Sequence, residues 1–205
     1  METELTQLDL PTAPFSRFRV LNARCQTNRG AVLALEGGVY PFTKQSMESH
    51  SKVGGHPLHP ILITLPLGLL SASLYFDAKA KLQHQSADAK IARALIGGGV
   101  LTGVLAALVG LIDYRAIPNG TRAKSIGLAH ASGNVIMLSL FALSWLKRRP
   151  NETMPSNSAL ALSLAGAALS GLTGWLGGEM VYRLGIGVDP GAYPDAPNSL
   201  VSDHT

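Results

Sequence analysis

The chain has 205 residues, of which 46% are hydrophobic and only 15% charged, well short of the roughly one quarter charged residues of a soluble domain. Its net charge of +4 comes from basic residues that border apolar runs and form no aromatic-interleaved basic face, which argues against a nucleic-acid binder. Cys25 is the only cysteine, so an internal disulfide, a CxxC pair, a cysteine-held iron–sulfur cluster and a CxxCH haem attachment are all excluded.

Residues 1–55 are polar, with Pro11, Pro14 and scattered arginines. They lack the apolar core of a secretory signal, because the run 31–35 is brief and Glu36 follows it, so the first apolar span is expected to act as its own insertion signal. Segments 18–23 and 31–40 have strand character, the second broken at Gly37-Gly38. A small ordered appendage and a flexible tail both stay open for this extension.

Four apolar runs follow, at 57–76, 91–112, 126–146 and 159–178, each near the roughly 20 residues that a helix needs to cross a bilayer. A soluble core of this length requires no such set of separate runs, and the charges fall between them. The expected fold is an all-α, integral membrane four-helix bundle over 56–188. It is preceded by a mostly irregular extension, 1–55, and followed by a flexible tail, 189–205.

The first span opens on Gly54-Gly55-His56-Pro57-Leu58-His59-Pro60, where proline is tolerated because the first N–H groups of a helix have no internal partner. Pro66 lies mid-span; it removes one backbone bond and frees the carbonyl of Leu62, which predicts a packing kink. The second and fourth spans carry small residues at intervals of four, Gly99 and Gly103 in one and Gly166, Ser170, Gly174 and Gly178 in the other. These ridges predict the tightest helix contacts of the bundle. On the third span His130, Asn134, Met137 and Phe141 share one helical face. At 1.5 Å per residue His130 would sit about 6 Å, and Asn134 about 12 Å, inside a helix starting at Ile126, with Trp145 at the opposite interface.

With an even number of spans and short loops, the start of the first and third and the end of the second and fourth share one membrane face. That face collects His56, His59, Asp113, Arg115, His130, Asn134, Glu179, Tyr182 and Arg183, and polar side chains at membrane depth mark function. Asp77, at the far end beside Lys79 and Lys81, reads as solvated. Orientation is nearly balanced. Lys79, Lys81, Lys90, Arg93, Lys147, Arg148 and Arg149 on one side face Arg115, Arg122, Lys124, Arg183, Lys44 and Lys52 on the other, and the compact run 147–149 tips the two far-end loops toward the cytoplasm.

His56 and His59 are three apart at a helix start, and His130 enters from another helix. Imidazole suits iron, copper and zinc, two imidazoles can ligate a haem axially, and helix bundles are natural containers for both. His59 and His130 are the first-choice ligands of a b-type haem or a metal ion, with His56 as substitute. Asp113 and Glu179 would accept the second ring N–H and orient the imidazoles, or relay protons, beside Arg115 and Arg183; Asn134 would donate to the site. The bland alternative has the histidines capping helix starts and bonding to Asp113, Asn134 or Glu179, with the carboxylates in interfacial salt bridges. No HExxH-type spacing occurs. Ser71, Ser73 and Ser139 sit in no GxSxG turn, and Gly97-Gly98-Gly99 follows no strand, which disfavours hydrolysis and nucleotide use.

The segment His56-Pro57-Leu58-His59-Pro60 with Pro66-Leu67-Gly68 and Phe76-Asp77, then Gly110-Leu111-Ile112-Asp113, Ala129-His130 with Asn134, and Gly177-Gly178-Glu179 through Tyr182, Gly185 and Gly187, resembles the bacterial four-helix membrane family known as domain of unknown function 2231. The resemblance covers about residues 54–188 and implies a multi-pass protein of the bacterial inner membrane. Members are sometimes fused to Rieske-type iron–sulfur domains, which implies electron transfer. The resulting expectation is a lipid-embedded protein that binds haem b or a metal ion and exchanges electrons with redox partner proteins. The rival is a cofactor-free scaffold or accessory subunit of a larger complex. A proton-coupled carrier is disfavoured because no inverted repeat is evident unless the chain forms a homo-oligomer.

Overall fold

The computed structural model describes residues 32–35, 38–41, 46–148, 154–192, 194–196 and 198. The chain divides into two compact units, residues 1–45 and 46–205. Within the first, β1 (Val32–Leu35) and β2 (Gly38–Pro41) pair antiparallel, Val32 opposite Pro41 and Leu35 opposite Gly38. The expected strand segment 31–40 is thus a hairpin that divides at its glycines, while segment 18–23 lies outside the described residues.

The second unit opens with two short paired strands, β3 (Lys52–Val53) and β4 (His56–Pro57). Gly54 and Gly55 make the turn between them with φ of 56° and 78°, left-handed values that a side chain disfavours. Five helices follow: α1 (Leu58–Leu62), α2 (Thr64–Gln83), α3 (Ser86–Ala116), α4 (Arg122–Lys147) and α5 (Asn157–Gly178), the last continuing into a π-helical turn, Glu179–Arg183.

Helices α1 and α2 are one span interrupted at Ile63. The break falls three residues before Pro66, whose missing N–H cannot bond to the Leu62 carbonyl; the ladder resumes with the Leu67 N–H donating to Ile63 at 3.1 Å. Thr121 and Ser156 cap α4 and α5 by accepting the backbone N–H of Lys124 and Ala159. Among the described residues four helical segments, 58–83, 86–116, 122–147 and 157–183, are long and apolar enough to cross a membrane.

Packing is by hairpin: α2 lies along α3 and α4 along α5, and the two hairpins meet chiefly through α3 and α4. The core is a compact cluster of Leu70, Ile96, Met137, Leu138 and Phe141. Glycines create the close approaches, but each serves a neighbour in the ring of helices. A Cβ on Gly99 would lie 2.6 Å from Leu70 of α2, on Gly103 2.6 Å from Leu138 of α4, and on Gly166 2.8 Å from Phe141 of α4. Gly171 and Gly174 meet nothing, so the small-residue ridge of α5 is only partly used inside the bundle. Large apolar side chains point outward in numbers that no soluble protein would tolerate, among them Leu67, Leu101, Val135 and Leu164. The helices are apolar almost all round, as lipid-facing segments must be.

Candidate functional site: two histidines at one end of the bundle

The end shared by the starts of α1 and α4 and the ends of α3 and α5 gathers the polar residues, as expected from connectivity. A strap, the segment before the first span, is tied to it. Asp113, at the end of α3, accepts from Ser49 Oγ (2.8 Å), the backbone N–H of His50 (2.8 Å) and Ser51 Oγ (3.3 Å). The Met47 N–H donates to the Gly185 carbonyl and Gly187 N–H donates back to Met47, at 2.8 and 2.7 Å, which ties the segment before the first span to the turn after the last. Gly185 has φ 67°, and its own would-be Cβ position lies 3.2 Å from the Ser46 backbone.

Inside this end the two ligand candidates are held alike. His59 Nδ1 donates to the carbonyl of Ala106 at 2.9 Å, and the ring lies over Gly110, where a Cβ would come within 2.8 Å of Cε1 and Nδ1. His130 Nδ1 donates to the carbonyl of Thr173 at 2.9 Å, and its ring lies over Gly177, where a Cβ would come within 3.2 Å of Cε1. Each histidine therefore reaches across its own hairpin to a carbonyl and packs on the glycine one turn later. A carbonyl accepts only, so both rings donate through Nδ1, which leaves Nε2 as the nitrogen turned to other partners. Both rings are half-buried, each on the first helix of its own hairpin. Asn134 Nδ2 donates to His130 Nε2 at 3.2 Å and to the His130 carbonyl at 2.8 Å.

The other expected participants are placed elsewhere. His56 is exposed, its Nδ1 bonded to the Gly54 carbonyl at 2.9 Å, because β4 turns it away from the helix ends. The carboxylates do not orient the imidazoles: backbone carbonyls do. Asp113 anchors the strap, and Glu179 pairs with Arg122 at 2.6 Å and more loosely with Arg183 at 3.6 Å. Tyr182 is 84% exposed on the π turn, Arg183 is exposed beside it, and Arg115 is exposed on the last turn of α3. With α4 starting at Arg122, four residues before the expected point, His130 lies about 12 Å along its helix rather than 6.

Asp77 overturns its expected solvated state. It is 4% exposed and clamped by Arg148, also 4% exposed, through Nη1 at 2.5 Å and Nη2 at 2.7 Å. Ser144 and Ser163 accept further Arg148 N–H groups. A buried carboxylate demands such a partner, and the signal was present in Arg148 lying just past the end of the third apolar run.

Among the described residues no three His, Cys, Asp or Glu side chains converge as a metal-binding group. His59 and His130, each bonded through Nδ1, are the residues that could hold a haem or a metal ion through Nε2.

Fold and site together define a membrane-embedded four-helix bundle carrying two imidazoles at one end. The family model of predicted membrane proteins, DUF2231, matches residues 55–190, and the chain belongs to that family. No curated protein and no solved structure is significantly similar to it.

Proposed function

We propose that this protein binds a b-type haem between His59 and His130 and passes electrons within a membrane redox system, in the bacterial inner membrane that the family resemblance implies. One observation carries the reading: both imidazoles donate Nδ1–H to mid-helix carbonyls, the outer partner that fixes a ligating histidine's tautomer and raises the basicity of its other nitrogen. A haem bound there supplies reversible one-electron chemistry. The chain's own contribution is preorganisation. Gly110 and Gly177 hold the rings against helix backbones, Asp113 pins the strap at this end, and Asn134 occupies His130 Nε2 until the ligand displaces it.

Asn134 also supports a second reading, a cofactor-free subunit that stabilises a larger membrane complex, since its amide already satisfies the His130 ring. The two separate in one preparation. Protein purified in detergent from haem-supplied cells is expected to show a Soret band that disappears in His59→Ala and in His130→Ala. Metal analysis of the same sample tests a non-haem ion. A colourless, metal-free preparation rejects the redox reading and leaves the scaffold.

A further inference from the structure

We infer that the helical unit is a tandem duplication of one histidine-bearing hairpin, and that His59 and His130 are therefore the two equivalent halves of a single ligand site rather than one site in each hairpin. This rests on the ligand reading above for what is bound, but on the geometry alone for how the halves are related.

Equivalence is visible residue by residue. In the first helices a spacing of 71 residues relates His59 to His130, Leu70 to Phe141, Ser73 to Ser144 and Asp77 to Arg148. Leu70 and Phe141 each fill a glycine notch on the partner helix, at Gly99 and Gly166. Ser73 and Ser144 are both fully buried. In the second helices a spacing of 67 relates those glycines, the fully buried Ala92 and Ala159, the accepting carbonyls of Ala106 and Thr173, and the ring-bearing Gly110 and Gly177. Because both hairpins run in the same sense, their relation is a pseudo-two-fold axis along the membrane normal, a parallel repeat rather than an inverted one. Equivalent residues near such an axis face each other across it, as the bidentate contact between Asp77 and Arg148 does at the far end. The same operation relates the two imidazoles at the near end, each bonded through Nδ1 to the equivalent carbonyl and seated on the equivalent glycine.

The halves are equivalent but not identical. Four residues after each histidine stand Ile63, at the helix break, and Asn134, which holds His130 Nε2. The His59 half is thus the one that presents its nitrogen without that amide.

Haemin titrated into the purified full chain in detergent tests the pairing. Saturation at one haemin per chain with a six-coordinate, low-spin spectrum is expected, and His59→Ala or His130→Ala should each abolish the low-spin form entirely. Saturation at two per chain, or half the low-spin signal surviving in either variant, overturns the single site. If haemin produces no spectral change, the haem reading falls, and the pairing is decided without it. The His59→Cys/His130→Cys variant in a Cys25→Ser background should form an intramolecular cross-link with a short bis-thiol reagent, and failure to do so while a reagent labels both thiols rejects the shared site.

Discussion

At the scale of single residues, the site depends on what is missing as much as on what is present. Gly110 leaves the space that the His59 ring fills, and a methyl placed there would sit 2.8 Å from the ring, whereas at Gly177 the corresponding approach is a milder 3.2 Å. Overpacking of this kind typically costs about 1–3 kcal/mol. Gly110→Ala is therefore expected to lower the detergent melting temperature more than Gly177→Ala and to disturb the His59 bond to Ala106. Equal effects of the two substitutions on melting would show that the rings are not seated in these notches. The histidines themselves were legible in the sequence, since imidazoles at membrane depth stand out. Their true partners were not, because a backbone carbonyl carries no sequence signal of its own, and the carboxylates that looked like partners serve the strap and the surface arginines instead.

At the scale of elements, the strap before α1 is ordered by one side chain. Asp113 offers two charged oxygens to three donors, and hydrogen bonds to charged groups are worth about 1.5–3 kcal/mol each. Asp113→Asn keeps the shape but replaces one acceptor oxygen with a donor. Amide exchange at residues 46–51 should accelerate by about tenfold or more, with the exchange of mid-helix amides in α3 unchanged; unaltered exchange in the strap would mean that Met47 and Gly185 hold it without Asp113. The broken first span belongs to the same scale. Pro66 announced an interruption in the sequence, and the structure places it at Ile63, where one carbonyl has lost its donor.

At the scale of the whole molecule, two hairpins of like design must recognise each other in one arrangement. The buried pair of Asp77 and Arg148 occupies equivalent positions with opposite charge, so it favours the pairing of unlike hairpins. Removing one partner of a buried ion pair costs about 3–5 kcal/mol because a charge is left uncompensated. Asp77→Arg and Arg148→Asp should each lower thermal stability severely in detergent, and the double exchange should recover more than half of the loss, a coupling that only contacting residues show. Purely additive losses would place the specificity of hairpin association elsewhere. Ser144 and Ser163, which join the network from α4 and α5, should temper the recovery because their hydroxyls are arranged around the present direction of the pair.

The four spans, their shared polar end and the membership of both histidines in it were determined by sequence alone, because hydrophobic length and chain connectivity are one-dimensional properties. The break in segment 31–40 and the kink before Pro66 were similarly readable from glycine and proline, while the antiparallel pairing of the two halves of that segment was not. Burial of Asp77, the removal of His56 to the surface and the choice of carbonyls over carboxylates as ring partners were decided only by tertiary structure. Each depends on which helix faces lie opposite one another, and that relation joins residues 47, 43 or 71 positions apart that no local pattern connects.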